Sequence, residues 1–91
     1  MKINRGSRSF YYGDSEENPS AEMSYVLTGE KLMIIDHTYV SEELKGQGVG
    51  NRLLNEVVDW ARNEGRKIMP LCPFAKAQME KHASFHDMIL R

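Results

Sequence analysis

The chain has 91 residues, with 12 lysines and arginines against 13 aspartates and glutamates and a formal net charge of −1. Its length fits one domain, so we expect residues 1–91 to fold as a single unit. The balanced charge argues against a nucleic-acid-binding protein, which needs a basic surface. No apolar run approaches the roughly 20 residues of a membrane span, and a single cysteine excludes an intramolecular disulfide. We therefore expect a soluble, cytoplasmic protein, monomeric or homodimeric, without nucleic-acid or membrane partners.

The N-terminal third predicts two strands. Residues Ser7–Tyr12 are rich in aromatic side chains, and the turn formers and acids of Gly13–Ser20 predict a solvated loop after them. Residues Ala21–Thr28 alternate between apolar and polar side chains, as a strand does, and Gly29–Glu30 is suited to a tight turn. A hairpin is therefore expected to lead into the next segment.

Residues Leu32–Val40 form the most apolar run of the chain and predict a central strand covered on both faces. Asp36 and His37 interrupt this run. Because successive strand residues point to opposite faces, strict alternation places Asp36 on the face opposite His37.

From Val49 the apolar spacing becomes helical, and the helix is expected to end at Gly65, a suitable left-handed cap. Lys67–Leu71 predicts a short buried strand, and Pro73 suits the first position of a second helix that runs to Ala83. Strand, crossover helix and strand form a right-handed βαβ unit, so the two strands should be parallel and adjacent. The fold class is α/β (α+β), with a mixed sheet of about five strands and two or three helices.

Three glycines occupy alternate positions at the start of the first helix: Gly46, Gly48 and Gly50. Each glycine inside a helix costs about 0.5 to 1 kcal/mol relative to alanine, so three of them need a reason. A turn between strand and helix needs one or two. Absent side chains also leave main-chain amides exposed at the positive end of the helix dipole, where a pyrophosphate can bind. Lys45 adds a charge that can pair with a phosphate.

The common nucleotide motifs do not match this loop. A P-loop ends in Gly-Lys-Ser or Gly-Lys-Thr, and neither is present. A dinucleotide fingerprint requires a glycine three residues after Gly50, where Leu53 stands. What remains is a pattern in which a positive or amide side chain precedes a Gly-x-Gly segment that follows a strand and opens a helix.

With this pattern, residues Val40–Leu54 resemble the coenzyme A pyrophosphate loop of the GNAT superfamily of N-acetyltransferases. The chain is similar to a small stand-alone branch in which a Cys-Pro pair follows the second parallel strand, as Cys72 and Pro73 do here. The resemblance implies a reduced GNAT-like fold, acetyl-CoA as co-substrate, an amine acceptor and no metal. It also implies that main-chain groups of a strand receive the pantetheine arm, and that loop amides with one lysine hold the pyrophosphate. The implied coenzyme-binding residues are Tyr39, Val40, Lys45, Gly46, Gln47, Gly48, Val49 and Gly50.

Two side chains are candidates for the chemistry. Larger relatives use a tyrosine to protonate the departing thiol, but no tyrosine follows Tyr39 in this chain. Cys72 lies where a predicted strand gives way to a helix, and a helix N-terminus stabilises a thiolate. His37 on the neighbouring strand can accept the thiol proton or deprotonate an incoming amine, which permits an acetyl-enzyme intermediate. The alternative is structural, with Cys72 a small buried apolar residue and His37 a core histidine.

Three functions remain open. The first is an acetyl-CoA-dependent N-acetyltransferase that acts on an unidentified amine through an acetyl-thioester on Cys72, with His37 as base. The second is a non-catalytic module that binds acetyl-CoA or another acyl-CoA and acts with a partner. The third is an interaction domain in which the glycines permit close packing of helix and sheet. His82 and His86, at helical spacing, suggest zinc together with Cys72, but the ligand set is incomplete and we expect no metal site.

Overall fold

A computed structural model describes residues 1–90. Its strands are β1 (Asn4–Arg5), β2 (Ser9–Ser15), β3 (Asn18–Thr28), β4 (Leu32–Val40) and β5 (Lys67–Pro70). Its helices are α1 (Val49–Asn63) and α2 (Pro73–Lys81), with 3₁₀ helices at Glu42–Leu44 and Ala83–Met88. The strands form one sheet in the order β1-β2-β3-β4-β5, in which only β4 and β5 are parallel. The predicted mixed sheet and βαβ unit are confirmed. Among the described helices, none is long and apolar enough to cross a membrane.

The prediction of a solvated loop at Gly13–Ser20 is wrong. β2 continues to Ser15 and β3 begins at Asn18, so only a two-residue turn separates the strands. Gly13 pairs with Pro19 at an irregularity in the register, and its φ of 136° is one that glycine tolerates. The turn formers therefore lie in bulges of a paired hairpin, which composition alone does not distinguish from a loop.

Both α-helices lie on the same face of the sheet. Ile89 pairs in parallel with Ile68, so α2 connects two parallel segments just as α1 does. Because such crossovers are right-handed and proceed in the same direction along the sheet, both helices cover one face. Phe74 of α2 packs against Gly50 of α1 in agreement with this arrangement. The apolar stripe predicted for α1 is buried except for Trp60, which is partly buried. Its buried members are Val49, Leu53, Leu54, Val57, Val58 and Ala61.

The other face of the sheet lacks such a cover, and the prediction that β4 is covered on both sides is wrong. Met33 and Ile35 point toward the helices and are fully buried, whereas Ile34 between them is partly exposed. We call the side chains that project away from the helices the open face. They are Tyr11, Glu22, Ser24, Val26, Ile34, Asp36, His37, Tyr39 and Met69.

A bulge in β4 determines which of its residues reach the open face. Ser24 pairs with His37 and Tyr25 pairs with Ile35, which leaves Asp36 as an extra residue. Asp36 and His37 are therefore both exposed on the open face, and the expectation that they point to opposite faces is wrong. The Ser24 hydroxyl donates a hydrogen bond of 2.6 Å to the Asp36 carboxylate. The bulge also turns Thr38 toward the helices.

Candidate active site

Two glycines of the loop are required by the backbone. Gly46 and Gly48 have φ values of 82° and 76°, in the left-handed region that side chains disfavour. A Cβ atom at either position would meet no atom within 4 Å. Both glycines therefore expose their main chain to solvent, as an anion-binding loop requires.

The third glycine serves packing. Gly50 is buried, and a Cβ atom there would lie 2.7 Å from Cζ of Phe74. Gly50 thus allows the first turn of α1 to contact the first turn of α2. The three glycines, which look equivalent in the sequence, have two different functions.

The start of α1 exposes unpaired amides. Arg52 is the first residue of the helix whose amide has an intrahelical acceptor, the carbonyl of Gly48. Within residues 1–90, the amides of Gly46, Gly48 and Val49 have no acceptor, and no side chain caps the helix. The described first turn also contains no acidic residue. Because these amides lie at the positive end of the helix dipole, an anion is favoured here.

Lys45 is paired with a carboxylate of its own chain. Its Nζ lies 2.8 Å from Oε1 of Glu42, and both side chains are exposed. The hydrogen bond to Glu42 raises the pKa of Lys45, and the same bond lowers the pKa of Glu42. The charge of Lys45 is therefore partly offset by Glu42 in this structure.

A cavity of about 210 Å³ connects the loop with the inward side of β4. It is lined by Thr38, Val40, Leu44, Lys45, Gly46, Gly48, Val49, Gly50, Asn51 and Phe74. A larger and more polar groove of about 650 Å³ lies on the other side of Leu44, where Lys2, Asp14 and Glu43 line it with both charge signs. Of the two, only the smaller cavity is lined by both the glycine loop and Thr38.

The end of β4 presents a free main-chain edge to this cavity. β5 pairs with β4 only as far as Ile35. The Ser41 amide donates to the carbonyl of Ser20, which directs the main-chain groups of Tyr39, two residues earlier, toward β3 as well. The main-chain groups of Thr38 and Val40 consequently point to the side of β4 where β5 no longer pairs with it. The coenzyme roles of all eight residues stay predictions: Tyr39, Val40, Lys45, Gly46, Gln47, Gly48, Val49 and Gly50.

Cys72 lies at the N-cap of α2 and is 6% exposed. Its Sγ is 3.1 Å from Oγ1 of Thr38, which lines the cavity. Sequence reasoning missed Thr38, because strict alternation along β4 turns its side chain away from the helices. The one available signal was Asp36, a charged residue inside an apolar strand, which is compatible with a bulge.

His37 is exposed on the open face, whereas Thr38 beside it points inward to Cys72. In the described part of the chain, the hydrogen-bond partner of the Cys72 side chain is Thr38, and no hydrogen bond joins Cys72 to His37. The two residues predicted to react thus lie on opposite sides of β4. His37 is placed to meet a group that approaches from solvent.

The histidines near the C-terminus do not gather around Cys72. α2 ends at Lys81, so His82 and His86 do not share a helical face, and the predicted extent of this helix was too long. A ring nitrogen of His86 lies 2.7 Å from the carbonyl oxygen of Glu80. Residues 1–90 contain no group of three or more His, Cys, Asp or Glu side chains that could hold a metal ion.

Comparison with known proteins agrees with this geometry. A family model described as GCN5-related N-acetyl-transferase matches residues 9–88. The chain is also similar to a GCN5-like protein from Staphylococcus aureus that is proposed to be an N-acetyltransferase and whose solution structure was solved by NMR. The two chains are 46% identical with a TM-score of 0.82, over 98% of this chain and 87% of that one. A comparison with curated proteins found no match.

Proposed function

Because the chain belongs to the GCN5-related N-acetyltransferase family, we propose that it transfers an acetyl group from acetyl-CoA to an amine. One observation carries this proposal: the unpaired amides of the glycine loop adjoin a cavity that extends to Thr38, the hydrogen-bond partner of Cys72. An anion-binding loop and a thiol beside one cavity suit a donor with a pyrophosphate at one end and a thioester at the other.

The described residues fit acetyl-CoA, which supplies an acyl group activated as a thioester. The amides around Gly46 and Gly48 would hold the pyrophosphate, where no side chain obstructs its approach. The free edge of β4 at Thr38 and Val40 would bind the amides of the pantetheine arm as a neighbouring strand does. Lys45 would add a charge once it leaves Glu42.

His37 is proposed as the base for the acceptor. An amine that approaches over the open face gives its proton to the neutral imidazole, and its lone pair attacks the acyl carbon. The new C–N bond forms as the C–S bond breaks, and the second proton that the nitrogen loses neutralises the released thiolate. The exposure of His37 on the solvent side of β4 supports a role as base for the amine rather than for the Cys72 thiol.

The acetyl-thioester on Cys72 remains a proposal with its own test. The thiol is buried against Thr38, so an acyl group can reach it only through the cavity that Thr38 lines. Mixing with acetyl-CoA should add one acetyl group to the wild type and none to Cys72→Ala, as measured by intact-mass spectrometry. If the wild type stays unmodified while amine acetylation proceeds, the result counts against a stable acetyl-thioester on Cys72.

Isothermal titration calorimetry with acetyl-CoA tests the binding on which all of this depends. We expect saturable binding at one site. His37→Gln should keep that affinity while amine acetylation falls at least about a hundredfold, the range for loss of a general base. Heat signals indistinguishable from buffer would refute the proposed function and favour the interaction domain.

The second candidate is a module that binds acetyl-CoA without turnover. His37 is separated from Cys72, and no tyrosine follows Tyr39 in the sequence. Both observations favour this second function. A thiol reagent distinguishes the two functions, because transfer releases free CoA in proportion to the amide formed. Tight binding without thiol release across a panel of amines would support the module.

A further inference from the structure

The open face combines aromatic rings and carboxylates in a way that the transfer chemistry alone does not require. Tyr11 pairs with Glu22, and Glu22 pairs with Tyr39, so the three side chains stand in one row across β2, β3 and β4. Adjacent strands are about 4.8 Å apart, so Glu22 has a tyrosine as its neighbour on each side of the row. Tyr39 is 44% exposed, and the other two side chains are partly exposed.

Glu22 contributes negative charge to this part of the open face, and the nearby ammonium group of Lys45, which interacts weakly with Tyr39, is itself paired with Glu42. Asp36, which accepts a hydrogen bond from Ser24, adds a second carboxylate in the neighbouring row. The nearest basic residues of the N-terminal strands are engaged elsewhere. The Arg5 guanidinium lies over the ring of Trp60, 4.8 Å from its centroid, on the helix-covered side, and Arg8 pairs with Glu17.

A carboxylate between aromatic rings favours a cation, because the rings add cation–π attraction to the ion pair. The distance from Glu22 to His37, the proposed base, restricts the length of the chain that links the cationic group to the reacting amine. Glu22 and His37 are diagonal neighbours on β3 and β4, so their side chains start about 7 Å apart. A saturated chain of about four carbons, with bonds near 1.5 Å, spans this distance.

We propose that the row Tyr11–Glu22–Tyr39 is an acceptor subsite for aliphatic diamines. One ammonium group binds at Glu22 between the two rings, while the other amino group reaches His37, loses its proton there and becomes the nucleophile. This inference rests on the proposed function for the second step, but binding of the first ammonium group is independent of acetyl-CoA.

An NMR titration with 1,4-diaminobutane in the absence of acetyl-CoA tests the subsite. We expect the largest amide shifts at Tyr11, Glu22 and Tyr39, and at least about fivefold weaker binding of n-butylamine, which lacks the second charge. Binding of the diamine should weaken as salt is raised, since the site is exposed. Equal affinities for diamine and monoamine, or shifts elsewhere on the surface, would overturn the proposal.

Two variants form a matched pair. Glu22→Gln should weaken diamine binding about three- to tenfold, whereas Glu30→Gln removes the same charge from the exposed turn after β3 and should leave binding unchanged. If both variants weaken diamine binding equally, net charge alone explains the effect and the subsite is refuted. Tyr39→Thr, which keeps a strand-forming residue, should weaken binding about two- to fivefold.

Titration of the same samples with acetyl-CoA separates this inference from the proposed function. Shifts at Gly46 and Gly48 with acetyl-CoA but none with the diamine would overturn the subsite and leave the transferase standing. Diamine shifts on the open face without any acetyl-CoA shifts would support the subsite and count against the transferase.

Discussion

Two segments of the molecule cluster main-chain amides, and they satisfy them differently. In the turn before β2, the Glu16 carboxylate accepts hydrogen bonds from the amides of Arg8 and Ser9, both at 2.8 Å, and from the amide of Ser7 at 3.2 Å. In the loop before α1, the amides of Gly46 and Gly48 have no acceptor within residues 1–90.

The difference indicates a separate role for each turn. The first turn fixes the N-terminal hairpin and supplies its own anion. The hydrogen bond from the Arg8 amide is the main reason that the pKa of Glu16 lies below its ordinary value. The second turn has the same preference for negative charge but no carboxylate of its own in the first turn of the helix. That preference is therefore available to a ligand.

The largest expected effect comes from filling the open side of the glycine loop. Gly48→Val places a branched side chain at the position of the anion and should weaken acetyl-CoA binding at least about thirtyfold, as measured by calorimetry. The matched control is Gly29→Val, at φ 60° in the turn after β3, which carries comparable backbone strain far from the loop. If both variants bind as the wild type does, the loop does not hold the phosphates.

The next effect concerns the packed side of the same loop. Gly50→Ala brings a methyl group against Phe74 and should destabilise the fold by about 1–2 kcal/mol, after the gain in helix propensity is subtracted. Urea denaturation measures the loss. Combining it with Phe74→Leu should give less destabilisation than the sum of the two single changes. Simple additivity would contradict the assigned contact.

A smaller, pH-dependent effect is expected in the first turn. Glu16→Gln should cost about 1 kcal/mol near neutral pH, because a charged acceptor of several amides becomes neutral. The folded-state pKa of Glu16 is lowered below 4.5, so its contribution is present above that pH and is lost as the pH falls through the folded pKa. The difference between variant and wild type should therefore shrink in acid.

Denaturation of Glu17→Gln provides the comparison for that measurement. Glu17 lies next to Glu16, but its contact is an exposed ion pair with Arg8 at 3.9 Å. We expect a change within about 0.5 kcal/mol at any pH. A constant difference for Glu16→Gln between pH 7 and pH 3 would show that its carboxylate is not what organises the turn.

The smallest effect tests the charge beside the open loop. Glu42→Gln frees Lys45 and removes a negative charge near the amides, so acetyl-CoA should bind a few-fold more tightly at low salt. Glu43→Gln removes an adjacent charge without releasing Lys45 and should have less effect. Calorimetry at two salt concentrations measures both, and unchanged affinity in the first variant would exclude Lys45 from the site.

Local patterns predicted much of this fold. The bounds of Leu32–Val40 and the start of α1 at Val49 follow from apolar spacing, and both are confirmed. α1 ends at Asn63 with Glu64 as its C-cap, and Gly65 follows in the predicted left-handed conformation. The parallel pairing of β4 with β5 follows from the handedness of the crossover. The position of the glycine loop at the N-terminus of α1 is also predicted.

What was missed depends on contacts between distant segments. The bulge at Asp36 exists because β4 pairs with β3, and the charge of Asp36 within an apolar strand is compatible with an extra residue but does not determine the register. Ile34 is partly exposed because both helices lie on the other face of the sheet. The packing role of Gly50 depends on Phe74, which belongs to another helix. The Thr38–Cys72 hydrogen bond combines the bulge with the position of α2.

Because Asp36 is an extra residue, β4 also separates the residues around the proposed reaction into two groups. Thr38 and Cys72 lie on its inner side, and His37 lies on its outer side. The acyl donor and the amine would then approach from opposite sides of β4 and meet at its free edge beyond Ile35, so neither obstructs the path of the other. A non-reactive amine analogue should accordingly inhibit the reaction without competing with acetyl-CoA, and strict competition between them would show that the two share one entrance.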